Sequence, residues 1–439
     1  MSTAFGTSSA RISEWKVVRG GLVAGAAIFG GQLLGFVRQV VIAYLLGTGP
    51  PADALSVAFA PVDLWWAVLA TTVVFGFGPL LALPEQTPAF SDLARPIFRL
   101  AVAVSVLFIF AAEPLVRLLA PGLSAETISQ AAQLLRVTAT AIPALSLSTL
   151  FTALLYSKRR FAFAAFHQGM VNVSTVVGAL LLHSWIGAAG FAAGYAAGAW
   201  LQLAAATSIS WPILRGRTAA HRRMGLRELI LGPGPVLSYS LLIGLSPVVT
   251  RALASTFGSG STVAFEYCLK LTGVPLALLV NSLSSSLMSE LAPFRLRKNR
   301  RLAVGVIGRA AILSALAALA VVLLMIALAP LVVSVLFERG RFSAASTRTV
   351  TDILTGFCPV LVAWAALDVI SRSMFSLGEW RIPSICAGLA LLINAAGSLS
   401  GMISSAQWIG LPVVAGFSTA AAVAAVCLWR LGIEPKRAS

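Results

Sequence analysis

The sequence predicts an all-α polytopic membrane protein of about twelve transmembrane helices, arranged as two six-helix lobes related by pseudo-two-fold symmetry around a central cavity. Three observations predict it. Hydrophobic residues make up 58% of the chain and charged residues only 11%, where soluble domains carry about 25% charged residues. Apolar stretches recur along the whole chain, each long enough to cross roughly 30 Å of hydrocarbon at about 1.5 Å per helical residue. The third observation is an internal duplication.

In lipid the backbone must satisfy its own hydrogen bonds, so these stretches are helices and not strands. They fall at 17–46, 52–83, 97–119, 128–157, 161–183, 187–211, 231–257, 262–291, 305–336, 346–377, 382–402 and 408–430. Several exceed the length needed to span and are expected to tilt or protrude. No soluble domain is left between them. Residues 1–16 read as a cytoplasmic tail, 17–211 as the N-lobe and 212–230 as a basic cytoplasmic linker. Residues 231–430 read as the C-lobe and 431–439 as a second cytoplasmic tail. The first apolar stretch is too long for a cleaved signal.

Net charge is +17, but its distribution excludes a nucleic-acid partner. Lys and Arg cluster in short loops, the pattern that orients membrane helices. Of 32 such residues, 24 fall on one side and 4 on the other. That asymmetry puts both termini in the cytoplasm. The four cysteines, Cys268, Cys358, Cys386 and Cys427, are scattered through expected helices and read as small packing residues. No metal constellation, catalytic triad or Walker motif is present, so neither an enzyme nor an ATP-driven pump is expected.

The duplication shows as matched landmarks. Gly47-Thr48-Gly49 ends the first expected helix and Gly258-Ser259-Gly260 the seventh, 211 residues later. Ser124-Ala125 matches Ser343-Ala344, and Leu155-Tyr156-Ser157 matches Met374-Phe375-Ser376, both at an offset of 219. Asn172 and Asn394 are 222 apart. Units of six helices enter from the same side, so they are related by an axis along the membrane normal. Gly190, Gly194 and Gly198, spaced by four, read as a close-packing helix face.

Ionisable residues inside membrane helices are costly and so mark candidate functional sites. The cations are Arg38, Arg136, Arg251 and Lys270; the acids are Asp53, Asp63, Glu266 and Asp368. All four cations are expected roughly 9–13 Å inside the extracytoplasmic surface, at about 1.5 Å per residue. A ring of cations in a cavity attracts an anion, and a guanidinium fork suits phosphate. Arg38, Lys270, Arg251 and Asp53 are therefore the candidate substrate-binding residues. Plainer readings stand beside these. Arg136 lies near enough to the surface to snorkel. Glu266 and Lys270 are spaced to pair within one helix, as are Asp368 and Arg372. Asp53 sits where an acid favours the helix dipole. Asp63 and Asp368 are the candidate ion-coupling residues. No cofactor is expected; the driving force would be the membrane potential, H⁺ or Na⁺.

The stretch LGFVRQVVIAYLLGTGPPADALSVA, from Leu34 to Ala58, resembles the opening of the MurJ (MviN-type) lipid II flippases. Gly35, Arg38, Gly47, Gly49, Asp53 and Ala54 carry the match. LFERGRFSAAS, Leu336 to Ser346, is similar to the loop before that family's tenth helix, and Ser259, Tyr267, Lys270, Leu271 and Pro275 add a third match. The resemblance implies the multidrug/oligosaccharidyl-lipid/polysaccharide exporter superfamily and its two lobes facing a cavity. It also shows departures. Gln32 and Gln39 stand where the family has an arginine and an acid, and Trp66-Ala67 where it has paired arginines. Leu269-Lys270 replaces its Asp-Arg, and the family's two further C-terminal helices are not expected in this chain.

The resemblance implies a flippase for a polyprenyl-diphosphate-linked saccharide in the bacterial cytoplasmic membrane. The unit would be the lipid II peptidoglycan precursor or an exopolysaccharide or O-antigen unit. Its partners would be membrane lipids and cell-envelope glycosyltransferases or a polymerase, and the protein would act as a monomer. Two alternatives stay open: a cation-coupled small-molecule exporter of the same superfamily, and a non-transporting membrane scaffold.

Overall fold

The structure is a computed structural model that describes residues 30–73, 90–157, 161–215, 234–276 and 300–433. Those residues form helices and no strands. In the first half, α1 is Gly30–Leu46, α2 Pro50–Thr72, α3 Phe90–Phe110 and α4 Ala112–Leu119. Next come α5 Ala125–Ala139, α6 Ile142–Ser157, α7 Phe161–Ile186 and α8 Ala189–Arg215. The second half holds α9 Gly234–Ser255, α10 at 261–276 and α11 Arg300–Phe337. It continues with α12 Ala344–Phe357, α13 Val360–Leu377, α14 Arg381–Leu399 and α15 Leu411–Ile433. Seven described helices are long and apolar enough to cross a membrane, or nine when two bent pairs each count as one span.

Within the described residues each of the twelve expected segments corresponds to a helix or a broken helix; 17–29, 74–83, 231–233 and 277–291 of those segments lie outside the described residues. The expected tail 1–16 and most of the linker lie outside the described residues. Within that linker, α8 continues to Arg215, and α15 continues to Ile433 past the expected end of the C-lobe. The breaks fall at prolines, which lack the N–H that a continuous helix requires. Expected segment 97–119 breaks at Ala111, just before Glu113-Pro114. Segment 128–157 bends by 42° between α5 and α6, beside Pro143, and segment 346–377 bends by 46° between α12 and α13, at Pro359. Two matching bends at matching places are the duplication made visible. Ser124 caps α5, and Ser343 caps α12 through a reciprocal box with Ser346.

The paired asparagines repeat a packing role. Asn172 on α7 reaches the Gly31 carbonyl of α1 and abuts Gly35. Asn394 on α14 donates to the Ser246 carbonyl and to the hydroxyls of Ser246 and Thr250 on α9. Each pins the first helix of its lobe to the fifth. In the N-lobe, α7 and α8 approach closely enough that a Cβ at Gly178 or Gly194 would meet the facing backbone. Small residues allow such an approach in lipid, where apolar burial drives little association.

Helices α2 to α8 pack among themselves, and α9 and α11 to α15 do likewise; α9 also packs on α2. Every residue of α2 from Ala52 to Val62 is buried. The lobes are fastened at the end of the bundle that carries the α1–α2 and α9–α10 turns. There the Asp53 carboxylate accepts from the Gly260 and Val263 N–H groups, at 2.5 and 2.9 Å, and so caps α10 of the other lobe. The Tyr267 hydroxyl donates to the Gly47 carbonyl at 2.9 Å. The Arg341 N–H donates to the Tyr44 carbonyl at 2.9 Å, and the hydroxyls of Thr48 and Ser346 lie 2.7 Å apart. Gly260 has φ 89° and rests on the Thr48 carbonyl, where any Cβ would overlap. This turn end is shut.

Candidate functional site

Away from the sealed turns, α1, α2, α9 and α10 part around two adjoining cavities of about 260 and 280 Å³. Asp63, Ala67 and Lys270 line both. The first cavity also meets Gln39, Arg251 and Glu266, and the second meets Arg38, Trp66 and Asn172. Both lobes thus contribute charge to one chamber.

The charges fall into two groups. In the N-lobe, Arg38 of α1 lies 3.8 Å from the Asp63 carboxylate of α2. Tyr195 of α8 donates its hydroxyl to the same carboxylate at 2.7 Å. The Arg38 guanidinium sits over the Phe59 ring at 5.2 Å and the Tyr195 ring at 6.0 Å, an attraction between cation and ring face. In the C-lobe, Glu266 of α10 binds Arg251 of α9 at 2.5 Å, and its other oxygen lies 3.7 Å from the Lys270 ammonium. Gln39 of α1 donates to Glu266 at 3.5 Å, across the lobes.

These cations are not fully used. Arg38 and Arg251 are buried, and among the described residues their Nε–H groups find no acceptor. Buried guanidinium donors normally have partners, so each of these two keeps donor capacity beyond its carboxylate. The Lys270 side chain is 34% exposed and is the accessible cation of the set. Trp66 spends its indole N–H on Thr149 at 3.2 Å, so it offers the cavity ring carbon rather than a donor.

A sequence model described as lipid II flippase MurJ matches residues 42–435. The chain belongs to the lipid II flippase MurJ family. Among its MurJ relatives, a "Probable lipid II flippase MurJ" of Rhizobium meliloti (strain 1021) is 25% identical over 434 residues, covering 92% of this chain and 79% of that one. The structure of "Lipid II flippase MurJ, inward closed conformation" superposes with a TM-score of 0.79 at 20% identity, covering 93% of this chain and 87% of that chain. An inward-facing multidrug resistance MATE transporter of the MOP superfamily gives 0.77 at 15% identity, covering 94% and 98%. The MurJ family is one of transporters rather than catalysts.

Within this MurJ fold the site candidates part company. Arg38, Arg251 and Lys270 do reach the chamber. Asp53 lines neither cavity: it is wholly buried in the turn end and caps α10, because the two lobes meet over it. The depth shared by four cations does not carry Arg136 inward; it lies exposed on α5. Asp368 pairs with Arg372 one turn along α13, at 2.6 Å, and lines neither cavity. Glu266 pairs with Lys270 as its spacing suggested, but also with Arg251. Sequence reasoning left out Tyr195 and the role of Gln39. Tyr195 lacks any charge signal; it lies about 100° round α8 from the Gly190, Gly194 and Gly198 face that packs on α7, and meets Phe59 and Asp63 of α2 instead.

Proposed function

We propose that this chain is a flippase carrying a polyprenyl-diphosphate-linked saccharide across the bacterial cytoplasmic membrane by alternating access. One observation carries the reading: buried and half-buried cations from both lobes, Arg38, Arg251 and Lys270, converge on one chamber whose far end is sealed. A diphosphate is the group whose charge and geometry match guanidinium and ammonium donors together. The family match favours lipid II as the cargo; an exopolysaccharide or O-antigen unit offers the same diphosphate. Cell-envelope glycosyltransferases or a polymerase would supply and consume it, and a single chain suffices to form the chamber.

The Lys/Arg asymmetry supports cytoplasmic termini, with the shut turn end outside. The chamber is then loaded from the cytoplasmic side. Outward movement of an anion is favoured by a negative-inside potential, at about 2.3 kcal/mol per charge per 100 mV. Asp63 is the candidate coupling group, because it faces the chamber and touches Arg38. Asp368 has its charge answered locally and is the weaker candidate.

The experiment is transport of a labelled lipid-linked saccharide in proteoliposomes. Arg38→Ala/Lys270→Ala is expected to fold and to lose most transport. Each charge-assisted bond to phosphate contributes about 1.5–3 kcal/mol, so the pair should reduce the rate by two orders of magnitude or more. Full transport by the folded double variant would overturn the reading.

A further inference from the structure

The Glu266 carboxylate gathers three donors that belong to the chamber: Arg251 and Lys270 of its own lobe and Gln39 of the other. Each oxygen is engaged, one by Arg251 and the other by Lys270 and Gln39. Its side chain is 12% exposed and lies on the cavity wall. An anion bridging a guanidinium and an ammonium in this way occupies the position a phosphate would take. Yet it is tethered to α10 and cannot leave.

We propose that Glu266 is a built-in competitor for the substrate's diphosphate. In the empty transporter it holds Arg251 and Lys270. Arriving diphosphate takes the Lys270 ammonium, and Glu266 yields it while keeping its bond to Arg251. On the far side the carboxylate reclaims Lys270 and expels the diphosphate. This inference rests on the flippase reading above.

The physical case is a balance of charge. Arg251 and Lys270 without Glu266 would present two cations in a partly dehydrated chamber. Such a pair binds phosphate tightly and releases it slowly, because attraction in low dielectric is poorly screened. A tethered carboxylate lowers affinity but speeds release, which a carrier needs. The loose arm of the cluster fits this role: Lys270 stands 3.7 Å from Glu266 and is a third exposed, so it exchanges partners readily. The tight arm to Arg251 keeps the carboxylate poised while Lys270 is away. Gln39 ties the exchange to lobe position, since its amide can reach Glu266 only when α1 and α10 are close.

The test is binding and turnover of a fluorescent polyprenyl diphosphate by the full-length protein in detergent and in proteoliposomes. Glu266→Gln keeps shape and removes the competing charge. It is expected to bind the probe on the order of tenfold tighter and to turn over several-fold more slowly. Glu266→Asp keeps the charge but falls one methylene short of Lys270, and is expected to shift both quantities the same way by less. A merely structural role would weaken binding in both variants. Should Glu266→Gln fail to fold, because a buried Arg251 loses its anion, Glu266→Asp decides alone. Binding no tighter than wild type in the folded variants overturns the competitor role while leaving the flippase reading intact. Failure of folded wild type to bind the probe at all removes the flippase reading, and the inference with it.

Discussion

Asp53 and Asp63 stand on the same helix, one in the turn end and one in the chamber, and their surroundings differ in kind. At the turn end Asp53 is fully buried, and both of its oxygens accept short bonds from backbone N–H groups of the opposite lobe. In the chamber Asp63 is about a third exposed, its arginine partner stands 3.8 Å away, and that arginine keeps an unused donor. Backbone donors at a helix start are fixed in direction, so the turn-end bonds form only when the lobes close and break together when they part. Side-chain ion pairs are not fixed in direction by the backbone, and the chamber's have accessible members in Asp63 and Lys270. They can exchange partners one at a time. A transporter needs both: a seal that opens as a unit, and a binding site whose contacts are traded for those of the cargo.

The contrast is open to test, and the largest effect belongs to the seal. Asp53→Ala leaves the Gly260 and Val263 N–H groups without an acceptor, at about 1–3 kcal/mol each. A melting temperature several degrees lower is expected. So is faster reaction of a cysteine placed at Thr48 with an impermeant thiol reagent added outside. Unchanged melting and labelling would mean that the seal does not depend on Asp53. Gly260→Ala tests the same end by shape. It forces a Cβ onto the Thr48 carbonyl and an alanine into positive φ, a conformation that destabilises non-glycine residues by about 1–2 kcal/mol. Spin labels on the two turns should report a wider separation than in wild type.

A smaller stability effect and a larger functional one are expected in the chamber. Asp63→Asn keeps the side-chain shape but leaves the buried Arg38 without its anion, a stability loss of up to about 3 kcal/mol. Transport should lose its response when potential and ion gradients are imposed separately across proteoliposomes. A variant that keeps the full response would show that Asp63 is not the coupling group. Tyr195→Phe is the mildest change. It removes one hydroxyl bond to Asp63, worth about 1 kcal/mol, and leaves the ring beneath Arg38. A modest fall in rate with unchanged folding is expected; a rate equal to wild type would reduce Tyr195 to packing.

What could be read from the chain without coordinates follows from physics that acts along the chain. Apolar length predicts spanning helices, and Pro143 and Pro359 stand where those helices bend. The glycine turns, the Ser124 and Ser343 caps and the Asn172/Asn394 pair reveal the duplication, because each does the same local task in its lobe. The rarity of charge in lipid singled out Arg38, Arg251 and Lys270. Tertiary structure alone decided which charge answers which. Arg38 meets Asp63 and Tyr195 from two other helices, Arg251 meets Glu266 across a turn, and Asp53 serves the opposite lobe. Those pairings depend on helix rotation and on how far the lobes have closed. Both are set by contacts between residues distant in sequence, whereas span and bend are set by neighbours.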